Sequence, residues 1–267
     1  MLTNRFQSGD NCMVSIFYRI SFWTAVAALP AVFLYNDRLF TALNCDKNGG
    51  RLDMFFLFLT SLADGLWVAM IAAIVQSLRP RHFGIFLIAL ILGNLILHGG
   101  KFLFDSDRPL RLLGSASVCV LGQPLTVRSF PSGHSFAIML LFMFVRPARS
   151  LPLAMALLAL TVLAVISRAY VGAHFPRDMI VGALIAVVSY LAAEKLAVKI
   201  KPWGWPAFTQ KLTIAAAGLA VTLGYIFFYH EKTRELEFLL TPAAWCVAAY
   251  WVIYSGVIFI RRVRPQA

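Results

Sequence analysis

Apolar residues in this chain run in long blocks parted by short polar breaks. The blocks fall near 15–35, 54–78, 83–104, 132–146, 151–169, 178–198, 212–229 and 236–260. About twenty apolar residues cross a bilayer as a helix, so each block predicts a membrane span. The fourth is short and starts inside the turn Pro131-Ser132-Gly133-His134. The first has a long apolar stretch and no small-x-small cleavage site after it, which predicts a retained helix rather than a removed signal. Residues 199–211 are rich in Lys, Trp and Pro, as suits a linker at the headgroup level. The pattern predicts an all-α integral membrane protein: a core of six spans over 1–198, an interfacial linker at 199–211, and a two-span extension over 212–267.

Composition supports that frame. Of 267 residues, 60% are hydrophobic and 13% charged, whereas soluble domains are nearer half and a quarter. The net charge of +12 would suggest nucleic acid in a soluble protein. Here the basic residues gather at span ends, without the basic-aromatic surface pattern of a nucleic-acid binder. Eight spans put both termini on one side. That side holds Arg79, Arg81, Arg146, Arg149, Lys195, Lys199, Lys201, Lys211, Arg261, Arg262 and Arg264, and is read as cytoplasmic. The outer side carries 36–53, 105–131, 170–177 and 230–235. Cys45 and Cys119 both fall there, compatible with a disulfide or with two free thiols. The four cysteines contain no CxxC pair, so no zinc-type metal site is expected.

Three polar clusters stand at span ends on the outer side: Lys101 through Arg108-Pro109, Pro131-Ser132-Gly133-His134, and Ser167-Arg168 with His174 and Asp178. Ionisable residues at a membrane are costly, so a convergent set marks a site. Arg holds phosphate through paired hydrogen bonds and Lys through a point charge. Lys101 and Arg108 would share a helical face only if the helix continued, and Pro109 limits it. Ser132 suits a helix N-cap, whose free N–H groups bind anions, and Gly133 permits close backbone approach. His174 and Asp178 are spaced i, i+4 across Pro176, so the carboxylate can hold Nδ1–H and leave Nε2 free to attack phosphorus. Asp105 and Asp107 are expected as solvated loop charges. Asp64, mid-span, fits a broken helix as well as a functional role. Arg111 and Arg128 flank the site as solvated cations or as readers of a second phosphate or headgroup.

In this order, Lys-x6-Arg-Pro, Pro-Ser-Gly-His and Ser-Arg-x5-His-x3-Asp resemble the three signatures of the type 2 phosphatidic acid phosphatase (PAP2) superfamily. The motifs cover 101–178, and the span pattern covers about 50–198. The resemblance implies a six-helix membrane core, no cofactor and no metal. It implies His174 as a nucleophile forming a phosphohistidine, Asp178 orienting it, and His134 protonating the leaving oxygen and then assisting water. Lys101, Arg108 and Arg168 would clamp the phosphate, with Ser132 and the Gly133 N–H completing the cradle. The residues alone do not rank the two histidines; the resemblance does. The expected substrate is a phosphorylated lipid: phosphatidic acid, phosphatidylglycerol phosphate, undecaprenyl diphosphate or lipid A. The expected setting is a bacterial inner membrane with the site facing the periplasm. Two rivals are a phosphotransferase passing the phosphoryl group to another lipid, and a non-catalytic phospholipid-binding or transport protein. A soluble vanadate-dependent peroxidase, also in the superfamily, does not fit the apolar spans.

Overall fold

The structure, a computed structural model, describes residues 12–46, 49–78, 82–146, 150–200, 207–228 and 236–263, with main chain only at 198–200, 207 and 262–263. Its helices are α1 Cys12–Leu34, α2 Asn36–Leu43, α3 Asp53–Leu62, α4 Gly65–Leu78, α5 Phe83–Phe104, α6 Pro109–Leu113, α7 Gly133–Val145, α8 Leu151–Tyr170, α9 Pro176–Ile200, α10 Ala207–Phe228 and α11 Glu237–Val263. The protein is an all-α membrane protein, and among the described residues six helices, α1, α5, α8, α9, α10 and α11, are long and apolar enough to cross a membrane. Arg79, Arg81, Arg149, Lys201, Arg264 and 230–235, used above to orient the chain, lie outside the described residues, as do the side chains of Lys199 and Arg262.

The block at 54–78 is not one straight helix. It breaks after Leu62 and bends by 58° into α4. Asp64 causes the break locally: its Oδ1 accepts the Leu66 N–H at 2.9 Å and caps the new helix. The block at 132–146 is a helix of 13 residues, about 20 Å long, against an apolar slab of about 30 Å. At its far end the Arg146 guanidinium lies over the rings of Tyr190, at 4.9 Å, and Tyr18, at 5.8 Å.

Between lipid-embedded helices, close packing rather than water exclusion holds the bundle together. The central contacts run among α5, α7 and α9 through Leu97, Phe136, Leu140, Phe144, Ala186 and Tyr190. Small residues set the spacing. A Cβ on Gly93 of α5 would stand 2.2 Å from the Phe136 ring. One on Gly182 of α9 would stand 2.3 Å from the Ser132 carbonyl oxygen. The start of α7 is thus pressed onto α9, where the Ser132 N–H donates to the Asp178 carbonyl at 3.0 Å. α8 closes this group and packs on α3 and α7. α10 and α11 pack on each other, and α10 docks against α4, where Trp67 meets Tyr225 edge-on at 5.2 Å. Trp251 seats against Gly218.

The connections at one end of the bundle are tied to the end of α8. The Asn44 side chain accepts the Cys119 N–H at 2.8 Å. Its amide nitrogen lies within bonding distance of the carbonyls of Cys119, Ala169 and Tyr170, at 2.9, 3.2 and 3.0 Å. Beside it Cys45 and Cys119 are joined as a disulfide, Cα to Cα 5.5 Å, while Cys12 and Cys246 are free and exposed.

Candidate active site

The end of α8 supplies Arg168, and the chain folds straight back on it. The Arg168 carbonyl accepts the N–H groups of Ala173 and His174, at 2.9 and 3.1 Å. Gly172 makes this turn with φ +76°, and a Cβ there would stand 2.3 Å from the Cys119 carbonyl oxygen. Helix α9 then begins at Pro176, where a missing N–H costs nothing. His174 lies two residues before that helix rather than on it, and Asp178 sits in its first turn. Asp178 is fully buried. Its Oδ2 accepts the Ser129 hydroxyl at 2.5 Å and the Phe175 N–H at 3.1 Å, and stands 3.6 Å from His174 Nδ1. The Ser129 hydroxyl also reaches that nitrogen, at 3.4 Å.

Arg108 approaches the other side of the ring. Its Nη1 is 3.2 Å from His174 Nε2 and donates to the Ala173 carbonyl at 2.9 Å. Its Nε donates to the Val127 carbonyl at 2.8 Å. A guanidinium can only donate, so Nε2 is the accepting nitrogen and Nδ1 carries the proton in the neutral ring. That is the tautomer with the lone pair on Nε2, where it meets Arg108. Burial, reinforced by Arg108, Arg168 and Lys101, holds His174 well below the ordinary histidine range, so the ring is neutral at pH 7.

Helix α5 ends at Phe104, with Asp105 in a left-handed conformation, and Arg108 is an extended N-cap of α6. Lys101 and Arg108 therefore converge through the loop and not along one helical face. Lys101 Nζ donates to the Arg128 carbonyl at 2.9 Å. Arg168 donates to the Thr60 hydroxyl of α3. Ser132 caps α7, its hydroxyl accepting the Ser135 N–H at 3.4 Å and the Ser135 hydroxyl at 3.0 Å. A Cβ on Gly133 would make only an ordinary contact, 3.6 Å from Leu97, so packing against the protein does not demand glycine there. His134 follows with its side chain 28% exposed, and its Nε2 lies 3.4 Å from Asp64 Oδ2.

The three clusters meet at one end of the bundle, and their cations lie within electrostatic reach of one another and of Asp178. Such a concentration of positive charge beside an accepting imidazole suits a bound oxyanion. Sequence reasoning missed Ser129 and Thr60, which hold Asp178 and Arg168. The mid-span Asp64 was visible as a carboxylate out of place. Asp105 and Asp107 are loop carboxylates facing Arg128 at 4.0 Å and Arg111 at 3.0 Å, in partly exposed pairs that add little stability. Among the described residues no group of three His, Cys, Asp or Glu side chains is placed to hold a metal ion.

The PAP2 superfamily model matches residues 82–201, which contain all three clusters. The crystal structure of Aquifex aeolicus LpxE is similar at 28% identity and a TM-score of 0.53, over 60% of this chain and 94% of that one. No curated protein matches in sequence. The match over residues 82–201 supports a phosphoric ester hydrolase of the PAP2 membrane lipid phosphatase type.

Proposed function

We propose that this phosphatase works through a phosphohistidine on His174, at a site facing the periplasm of a bacterial inner membrane. Nε2 of His174 attacks phosphorus. The bond from phosphorus to the lipid oxygen breaks, and that oxygen takes a proton from His134. Water then attacks the phosphohistidine, gives a proton to His134, and frees phosphate and His174. Asp178 keeps the proton on Nδ1. Lys101, Arg108 and Arg168 neutralise the non-bridging oxygens. Ser132 and the N–H groups at the start of α7, including that of Gly133, complete the cradle. The room left beside Gly133 supports a close backbone approach.

The observation that carries this reading is the state of His174: buried, neutral, with its lone pair on the nitrogen that meets Arg108. Two features support the orientation. The Cys45–Cys119 disulfide lies on the same side as the site, as an oxidising compartment allows, and Arg146, Lys195, Lys211 and Arg261 lie toward the other. We read the eight apolar segments as eight crossings. Six over 1–198 form the core, and after the linker at 199–211 the pair over 212–267 docks on α4.

The substrate is a lipid whose phosphate sits at headgroup level. The test is phosphate release in detergent, with EDTA present, from phosphatidic acid, phosphatidylglycerol phosphate, undecaprenyl diphosphate and lipid A, beside the His174→Ala variant. Release from one lipid class that vanishes in the variant is expected. Turnover of the variant at the native rate would remove His174 as nucleophile. Transfer of the phosphoryl group to an added lipid acceptor, without free phosphate, would make the enzyme a phosphotransferase.

A further inference from the structure

We propose that Asp64 is a positioning residue for His134, and that the break between α3 and α4 carries its carboxylate to the imidazole. This deepens the mechanism above and rests on His134 as its acid and base.

The argument begins with the cost of the residue. A buried carboxylate between two apolar helices needs partners. Capping α4 explains only one of its oxygens, Oδ1, which accepts the Leu66 N–H. The second, Oδ2, is aimed at the site and lies 3.4 Å from His134 Nε2. A carboxylate only accepts, so the ring proton sits on Nε2 and Nδ1 becomes the nitrogen that exchanges protons with substrate or water. The separation is long for a hydrogen bond, as is common before substrate draws a catalytic pair together.

The surroundings give the carboxylate a second effect. The groups bearing on His134 are Arg168 from α8, Arg108 from the loop before α6, and His174 from the turn before α9. Lys101 of α5 and Asp178 of α9 are further charged groups at this end of the helices packed against α7, whereas Glu194 and Lys195 of α9 lie toward its other end. An imidazolium formed there faces two cations, Arg168 and Arg108. Asp64 is the counter-charge that lets His134 hold a proton until the lipid oxygen leaves.

Substitutions separate cap from charge. Asp64→Asn keeps an oxygen for the Leu66 N–H, because Asn caps as well as Asp, but removes the charge. Asp64→Ala removes both, and Asp64→Glu restores a carboxylate. Each is compared with the native enzyme by thermal unfolding in detergent, by the pH profile of phosphate release from phosphatidic acid, and by ¹⁵N-histidine spectra with His134 assigned through His134→Gln. For Asp64→Asn we expect near-native unfolding, kcat lower by about 10- to 100-fold, and KM little changed. The high-pH limb of the profile moves to lower pH, and Asp64→Glu recovers part of kcat. The spectra show the Nε2–H tautomer in the native enzyme and a mixture in Asp64→Asn. Native kcat and an unmoved limb in Asp64→Asn, with an unstable Asp64→Ala, would make Asp64 a helix cap alone and overturn the proposal. If the native enzyme releases no phosphate, the catalytic reading fails by itself. The spectra still decide the pairing, since an unchanged His134 tautomer in Asp64→Asn overturns it.

Discussion

Two histidine–carboxylate pairs face each other across this site, and they are built in opposite ways. His174 and Asp178 lie four residues apart and are sealed, with side chains 2% and 0% exposed. His134 lies on α7 and Asp64 in the break before α4, and they are more open, at 28% and 11%. The sealed pair is held by the Ser129 hydroxyl, the Phe175 N–H and the Arg108 guanidinium. The open pair depends on how α7 seats against the break before α4. The difference matches the division of labour proposed here. A nucleophile gains from a fixed tautomer and dry surroundings, whereas an acid and base must meet a leaving group and water.

The largest expected effect falls on the sealed pair. His174→Ala should lower phosphate release by about 10⁴-fold or more while lipid binding persists. Single-turnover assay and a lipid-binding measurement in detergent check both halves. Next comes the contact that joins the two pairs. Gly182→Ala places a Cβ against the Ser132 carbonyl, and backbone cannot yield as a flexible side chain can. We expect a loss of about 1–3 kcal/mol in stability and a marked fall in kcat, as α7 and His134 are pushed away from α9. Equal unfolding temperatures for Gly182→Ala and the native protein would contradict the close seating.

The pH dependence comes third. The nucleophile must be neutral, and His174 titrates well below the usual histidine value of about 6.5. The low-pH limb of kcat/KM should therefore stay flat as pH falls through 6.5 and decline only further down. A limb at the ordinary value would mean that the ring is less buried than the geometry gives. The smallest effect is that of Ser129→Ala, which removes one hydrogen bond to Asp178 but leaves that of Phe175. A drop in kcat of about tenfold is expected, with KM unchanged.

The same contrast explains what could be read from the chain. His174 and Asp178 were legible because they lie close together in the chain, and the apolar blocks because span length is a local rule. The partner of His134 was not, since a carboxylate in one apolar block does not announce which other block it will meet. Ser129 and Thr60 were invisible for a similar reason: a hydroxyl next to a motif acquires meaning only when packing brings a carboxylate or a guanidinium to it. Arg108 shows a third case. Its residue type was informative, but its position is fixed by the carbonyls of Val127 and Ala173, which carry no sequence signal.

Asn44 carries a consequence for the order in which the molecule assembles. Its amide joins residues 75, 125 and 126 positions further along the chain. Contacts of such high sequence separation form late, because the entropy of closing a long loop comes due before any bond repays it. The α10–α11 hairpin, by contrast, is short-range and can form on its own timescale. The connections around the phosphate site are then among the last parts to become native. Activity should disappear before helicity when the protein is gently denatured.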